Sequence, residues 1–434
     1  MQNRRNPIVT LIVVFFTIAQ ILIVAAVGYT PYPDSEGYLL LAEEAIANGD
    51  FYPLPSKMRE LAFLWNIGAI NTAALSLKFS PTITLLLLVY SVMKGFTAWY
   101  LYCLTEKLLS PKAALITLLL YIAYPANYGE STSILSELPF IFFAIVSLSN
   151  IVSNKFLAAG VFLAIANCYR PMASVFILAV VIYLIADYYI NHRPGIYRRV
   201  ALFLAGFGLV ISIIGTIEYH RTGRFYYQAA TGWMALMQYS WDNDSDTLTD
   251  AALFEGGNPN VIKAETDVVE KDSIWQSHFF LWLKHNRGEY LRQMPRKLIY
   301  TYATDNTNFC AFLPDKNERE YMYEPLSMKT IIDAFPRLSA VQSLVCINLA
   351  YYYLILCLAV VGVVMITRRA LHDLQAVESQ TVAAILSVSV IVIGTAVLLV
   401  FGHGESRFHQ PFMPFFFILA AMAISALQHR LITE

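Results

Sequence analysis

Two carboxylates follow the first long apolar run of the chain, in the segment Pro33-Asp34-Ser35-Glu36-Gly37-Tyr38. One polar residue is enough to end a helix, so a pair of acids at this place indicates a site that takes part in a reaction. A carboxylate acts as a general base when it takes a proton from a hydroxyl nucleophile. Asp34 and Glu36 are therefore candidate catalytic residues. The structural alternative for Asp34 is simpler, because an Asp that precedes a helix commonly caps it.

A second group of ionisable residues lies between the last two apolar runs, in Gly402-His403-Gly404-Glu405-Ser406-Arg407-Phe408-His409-Gln410-Pro411. Arg407 carries a planar guanidinium that suits phosphate oxygens, and Glu405 is placed to orient it. The glycines permit a close approach of the backbone to a ligand. A phosphate whose negative charge grows during a reaction is stabilised by an Arg or His held near it. This loop therefore predicts a phosphate site with Arg407 and His403.

Three further ionisable residues are candidates for substrate contacts. Arg170 stands before Pro171 between two apolar runs, where it reaches an anion or simply extends to the membrane surface. Glu137 lies at the mouth of a span, where it orients a substrate hydroxyl, helps to bind a metal, or only benefits from the helix dipole. Lys297 belongs to the basic and aromatic stretch 282–302, which indicates an amphipathic helix on anionic headgroups or near a phosphate.

The composition places these residues in a membrane. Hydrophobic residues make up 57% and charged residues 14% of the chain, against about 45–50% and 25% in soluble domains. The net charge of -1 gives no reason to expect nucleic acid. We therefore predict an all-α polytopic membrane protein with about ten transmembrane helices. The apolar runs are 8–28, 82–103, 113–124, 138–152, 156–169, 172–190, 200–217, 345–366, 382–401 and 412–427.

The short loops orient these spans, because Lys and Arg mark the cytoplasmic side. With the N-terminus inside, every cytoplasmic segment is basic, and the candidate site residues all lie outside. The basic residues are Arg4, Arg5, Lys107, Lys112, Lys155, Arg193, Arg198, Arg199, Arg368, Arg369 and Arg430. We expect interfacial helices at 38–47 and 61–77, because a further span there would reverse every later loop.

The same pattern divides the chain into three parts. Residues 1–218 form an N-terminal transmembrane catalytic module whose first external loop is 29–80. Residues 219–343 form a large extracytoplasmic segment, and 344–434 hold the last three helices.

Asp242-Asn243-Asp244-Ser245-Asp246 resembles the opening of a calcium loop, but Thr247 and Leu253 replace the required Gly and Glu. No metal site is predicted, and a divalent metal is an option that nothing in the sequence requires.

A family resemblance rests on several of these stretches. Gly404-Glu405-Ser406-Arg407-Phe408-His409-Gln410-Pro411-Phe412-Met413-Pro414 resembles the terminal motif of bacterial GT-C membrane glycosyltransferases, in which a Glu and an Arg are followed by an aromatic residue and spaced prolines. Other matching stretches are Asp34 with Tyr38, Ser136-Glu137-Leu138-Pro139, Tyr169-Arg170-Pro171, and Arg221-Thr222-Gly223-Arg224-Phe225 followed by Thr231-Gly232. The family includes protein O-mannosyltransferase and aminoarabinose transferase types, which use polyprenyl-phosphate-linked sugars.

The resemblance implies an inverting glycosyltransferase at the outer face of the bacterial cytoplasmic membrane. It would move a sugar from a polyprenyl-phosphate donor to a lipid, glycan or protein acceptor. Asp34 is then the base, with Glu36 as the substitute because Ser35 interrupts an acidic pair that some relatives carry. The residues expected to bind the donor phosphate are Arg407, His403, Arg170 and Lys297. Those expected to bind or orient the substrate are Glu137, Glu405 and Tyr38.

Two other functions use similar features. A polysaccharide polymerase or ligase also combines many spans with a large external segment and arginines. A transporter of a lipid-linked or anionic substrate should place charges near the bilayer midplane and often carries internal repeats. The central portions of these spans are nearly free of charge, and the sequence shows no repeat.

Overall fold

The computed structural model describes residues 7–54, 65–230, 232–233, 236, 268–313, 340–402 and 404–433. Within them all regular structure is helical. The helices are α1 (Pro7–Val27), α2 (Pro33–Ala47), α3 (Ile67–Phe79), α4 (Thr84–Leu108), α5 (Pro111–Ala123), α6 (Glu137–Val152), α7 (Phe156–Tyr169), α8 (Ala173–Ile190), α9 (Ile196–Thr222), α10 (Val268–Tyr302), α11 (Ala340–His372), α12 (Glu378–Phe401) and α13 (Met413–Thr433). Short 3-10 helices include Pro125–Tyr128, Glu130–Thr132, Thr307–Phe312 and Ser406–Phe412, the last of which we call the terminal turn.

Every apolar run of the sequence coincides with one of these helices, and the all-α membrane class is confirmed. Seven helices of the described chain are long and apolar enough to cross a bilayer. The other three runs form α5, α6 and α7, which have 13, 16 and 14 residues. Because a span needs about 20 residues, the count of ten spans stays a prediction. The 3-10 segment before α6 bends by 115° into it, so these two pieces together give at most an eighth span.

Local sequence explains where several helices begin and end. The hydroxyl of Ser110 accepts a hydrogen bond from the Ala113 N–H, and Pro111 opens α5, as is common in a first turn. Pro171 ends α7, because the residue before a proline is driven out of helical conformation. That residue is Arg170, whose backbone is extended at φ -146° and ψ 133°.

The predicted basic loops meet at one end of the bundle. The Lys107 ammonium, at the end of α4, contacts the Ser153 hydroxyl beyond α6. At the same end, Ser110 and Arg369 line one small cavity of about 150 Å³. The predicted external loops lie at the other end, where the candidate site is found.

Two helices of the first external loop pack on each other. Tyr38, Leu41 and Ala42 of α2 share a buried cluster with Ala69, Ile70, Ala73 and Ala74 of α3. Neither helix reaches the length of a span, and their position in the membrane interface stays a prediction. The basic stretch 282–302 is helical as predicted and forms the second part of α10, after a kink at Asn286.

Candidate active site

Asp34 lies inside the first turn of α2, and it does not cap the helix. The helix begins at Pro33, and the N-cap residue Tyr32 makes no side-chain capping bond. The Asp34 carboxylate turns instead to Arg407, with 2.7 Å between Oδ2 and Nη1. The capping alternative is therefore wrong for this residue.

The Arg407 guanidinium is surrounded by three carboxylates. Besides Asp34, its Nε lies 2.5 Å from Glu405 Oε1 and 3.8 Å from Glu137 Oε1. The preceding Gly404 has φ +81°, and a Cβ there would lie 2.7 Å from the Lys297 carbonyl oxygen. Only glycine tolerates both conditions, so Gly404 lets the chain pack against α10 before the terminal turn presents Arg407.

Glu137 and Arg170 form a second ion pair beside the first. Glu137 is the first residue of α6, and its side chain is 1% exposed. Its Oε1 pairs with Arg170 Nη1, which also lies 3.4 Å from the Ser136 hydroxyl. Because a buried charge needs a partner, this pairing accounts for Glu137 and Arg170 better than a dipole effect or surface extension does.

The ring of Phe408 lies against both arginines. The guanidinium carbons of Arg170 and Arg407 are 5.0 and 5.5 Å from its centroid. A cation over an aromatic face is stabilised by the ring quadrupole, and a guanidinium can stack there while its N–H groups remain available. Phe408 thus keeps the two cations side by side.

Charge and exposure assign different roles to the acids. Asp34, Glu137 and Glu405 carry three negative charges against two positive charges on Arg170 and Arg407, so the cluster holds one net negative charge. The Asp34 side chain is 33% exposed, while Glu137 is buried. Asp34 is therefore the most accessible of the three acids, and Glu137 contacts the arginines from the buried side of the cluster.

Comparison with known proteins adds the fold family. No family model matches the sequence, and no curated protein sequence matches it. The crystal structure of the apo oligosaccharyltransferase of Archaeoglobus fulgidus aligns with a TM-score of 0.54 at 11% identity, over 99% of this chain and 52% of the other. The same enzyme in complex with Zn and sulfate gives 0.50 at 11% identity, over 97% and 49%. The chain has the fold of the GT-C membrane glycosyltransferases.

The chain spans about half the length of the oligosaccharyltransferase that it matches. A third solved structure, apo ArnT from Cupriavidus metallidurans, aligns with a TM-score of 0.43 at 11% identity, over 96% of this chain and 76% of that one.

Two sequence candidates on α2 differ in placement. Glu36 is exposed and follows Asp34 by two positions, a spacing that turns helical side chains to different faces. Tyr38 follows Asp34 by four, so it shares that face and is 7% exposed. Its ring packs edge-on against Trp65 at 5.2 Å. Burial raises the pKa of Tyr38, and the nearby charges of Asp34 and Glu137 raise it further.

The Lys297 ammonium is directed at the end of α12. Its ammonium is 3.4 Å from the Leu399 carbonyl oxygen and 5.4 Å from the Tyr290 ring centroid, and the residue is 5% exposed. Burial lowers the pKa of Lys297 to about 8. In this structure it anchors α10 to the end of α12. His403 and the stretch from Asp242 to Asp246 lie outside the described residues.

A second polar cluster lies inside the bundle, and none of its residues was a site candidate from the sequence. Lys94, in the middle of an apolar run, forms an ion pair with Glu130, and both side chains are 4% exposed. Nearby, Asp305 accepts a hydrogen bond from the Tyr124 hydroxyl and is 1% exposed. A cavity of about 20 Å³, roughly the size of one water, lies among these groups. A Lys inside an apolar run was the one visible sign of this cluster.

The acids of the candidate site have the oxygen ligands that a divalent cation prefers. In this structure Asp34, Glu137 and Glu405 each direct an oxygen to an arginine. Among the residues that the structure describes, no group of three or more His, Cys, Asp or Glu side chains is arranged to hold a metal ion.

Proposed function

We propose that this protein is an inverting glycosyltransferase that moves a sugar from a polyprenyl-phosphate donor to a hydroxyl acceptor. The site would face the outside of a bacterial cytoplasmic membrane. The observation that carries the proposal is the direct ion pair between Arg407 and Asp34, on a GT-C fold. It brings a phosphate-binding cation and a solvent-accessible carboxylate to one place.

The charge of the cluster suggests how the donor is received. A donor phosphodiester brings another negative charge to a site that is already net negative. Binding is favourable only when a cation turns from a carboxylate to the phosphate. Arg407 is the cation in question, because its Asp34 partner is the most exposed of the three acids. Donor binding then frees Asp34 as the general base.

The reaction follows as a single displacement. The acceptor oxygen forms a bond to the anomeric carbon while the bond from that carbon to the phosphate oxygen breaks. The acceptor proton passes to the Asp34 carboxylate, and polyprenyl phosphate leaves with its extra negative charge stabilised by Arg407. Attack opposite the leaving group inverts the anomeric configuration. Arg170, held by Glu137, supports Arg407 from its place on the same Phe408 ring.

The test uses the purified chain in lipid nanodiscs with a panel of polyprenyl-phosphate sugars and a cell-envelope extract as the acceptor. Release of polyprenyl phosphate, followed by mass spectrometry, reports turnover whatever the acceptor is. The proposal expects protein-dependent release from at least one donor, together with a glycosylated product. No release from any donor in the panel, with the protein folded, contradicts it.

A further inference from the structure

Four consecutive polar residues after α10 are buried although none of them was a site candidate. Asp305, Asn306, Thr307 and Asn308 are each 5% exposed or less. Burying polar groups is costly unless they gain hydrogen-bond partners. The partners of this stretch, which we call segment 305–308, therefore indicate what it is for.

Segment 305–308 contacts the start of the helix that carries Asp34. The Tyr32 hydroxyl donates a hydrogen bond to the Thr307 carbonyl oxygen. Tyr32 is the N-cap residue of α2, two positions before Asp34. The position of the Asp34 backbone is thus tied to Thr307.

The same residue contacts the turn that carries Arg407. The hydroxyl of Thr307 lies 3.1 Å from that of Ser406, the residue before Arg407. Asp305 receives a hydrogen bond of 3.4 Å from the Gln410 amide of the same turn. Thr307 therefore contacts the residue before Arg407 and the residue two positions before Asp34.

The segment also holds the loop that leads to Glu137. The Asn308 side-chain amide donates a hydrogen bond of 2.9 Å to the Ala126 carbonyl oxygen. The Asn308 carbonyl oxygen lies so close to Gly129 that a Cβ at this glycine would collide with it. The loop joins α5 to α6, whose first residue is Glu137.

His409 adds a second anchor for the terminal turn. Its Nδ1 lies 2.6 Å from the Thr301 carbonyl oxygen, and because a carbonyl only accepts, Nδ1 must carry the proton. The imidazole also stacks on Tyr302 with 5.3 Å between ring centroids. The end of α10 thus holds the turn from a side that substrate does not reach, since His409 is fully buried.

We propose that segment 305–308 is a positioning element that sets the separation of Asp34, Arg407 and Glu137. Thr307 is its central residue, because it contacts both α2, which carries Asp34, and the terminal turn, which carries Arg407. The functional meaning of this inference rests on the proposed glycosyl transfer. A misplacement of about 1 Å at reacting groups costs on the order of a hundredfold in rate, so a loosened Thr307 should slow turnover without touching substrate.

The test compares Thr307→Val, Thr307→Ser and Thr117→Val in nanodiscs. Thr117 is the matched control, because it is fully buried like Thr307 but its hydroxyl bonds only the Ala113 carbonyl oxygen within α5. Two readouts are taken: kcat with a polyprenyl-phosphate donor, and hydrogen–deuterium exchange of peptides that cover 30–37 and 405–412. Thermal unfolding of each variant separates positioning from lost stability.

We expect Thr307→Val to lower kcat by at least about tenfold and to speed exchange in the 405–412 peptide, at a melting temperature close to that of Thr117→Val. Exchange in the 30–37 peptide should change little, because Tyr32 bonds the Thr307 carbonyl oxygen, which this variant keeps. Thr307→Ser keeps the hydroxyl and should restore both readouts. Exchange in the 405–412 peptide, or kcat, in Thr307→Val equal to that of Thr117→Val would overturn the proposal. If the wild-type protein shows no transfer, the proposed function fails, and the exchange readout alone decides the positioning role.

Discussion

The Arg407 guanidinium lies 2.7 Å from the Asp34 carboxylate, although the two residues stand near opposite ends of the chain. Asp34 belongs to α2, the first helix after the first span, and Arg407 belongs to the terminal turn, just before the last helix. This ion pair joins the proposed base to the proposed phosphate site. In the proposed mechanism, Asp34 is paired with a cation until the donor phosphate draws that cation away.

Replacing Arg407 tests the phosphate assignment. Arg407→Ala should lower kcat/KM for the donor by about 10²–10³, because the growing charge of the leaving phosphate loses its stabilising donor. Arg407→Lys should recover only part of this, since an ammonium cannot make the bidentate contact of a guanidinium. Steady-state kinetics with purified variants measures both. Equal kinetics of Arg407→Ala and wild type would remove Arg407 from the phosphate site.

The buried pair of Glu137 and Arg170 predicts a pattern in stability. Arg170→Ala leaves Glu137 buried without its nearer cation, which should cost about 3–5 kcal/mol of unfolding free energy. The double variant Glu137→Gln with Arg170→Met removes both charges and should be more stable than Arg170→Ala alone. Thermal unfolding in nanodiscs compares the three proteins. A double variant less stable than the single one would show that the pair is not coupled as described.

The convergence of these residues was predictable for a physical reason. Alternating spans bring every second loop to the same end of a bundle, so the basic-loop pattern predicted that Asp34, Glu137, Arg170 and Arg407 lie at one end. Whether they contact one another could not be read from that pattern. The number of spans was less accessible, because the apolar runs at α5 and α7 form helices of only 13 and 14 residues, shorter than the about 20 residues that a span needs.

Segment 305–308 could not be found from the sequence. It lies in a polar stretch with no periodicity, and its partners Tyr32, Ala126 and Ser406 are far away along the chain. Buried polar residues become informative only when the fold has brought their partners together. Lys94 is the converse case, because an ammonium inside an apolar run is conspicuous in any sequence.

Lys297 gives a prediction for pH. Because its pKa falls to about 8 in the folded protein, from 10.5 in a free side chain, the unfolded chain binds more protons between these values. Stability should therefore rise as pH increases from about 8 towards 10.5. Lys297→Met should remove this rise and raise the melting temperature at pH 7 by a few degrees.

Kinetics of the Lys297→Met variant test the role in binding the donor phosphate that the sequence suggested for Lys297. With its ammonium directed at the Leu399 carbonyl oxygen, Lys297→Met should change the donor KM less than threefold. A loss of kcat/KM for the donor as large as that of Arg407→Ala would return Lys297 to the phosphate site.

Orientation is testable with two exposed positions at opposite ends of the bundle. Glu36→Cys lies beside the candidate site, and Arg198→Cys lies in the first turn of α9, at the basic end of that helix. In a background without native cysteines, a membrane-impermeant maleimide should label Glu36→Cys on intact cells and Arg198→Cys only after permeabilisation. The reverse pattern would place the site on the cytoplasmic side.

The most direct measurement of the central claim is sugar transfer by Asp34→Asn beside Glu36→Gln. Both changes replace a carboxylate by an amide on the same helix, but only Asp34 contacts Arg407. Asp34→Asn should lose about 10²–10⁴ of kcat, because the acceptor proton has no base to receive it, while donor binding remains. Glu36→Gln should stay within about threefold of wild type. Near-normal turnover by Asp34→Asn, or an equal loss in both variants, would contradict the assignment of Asp34 as the base.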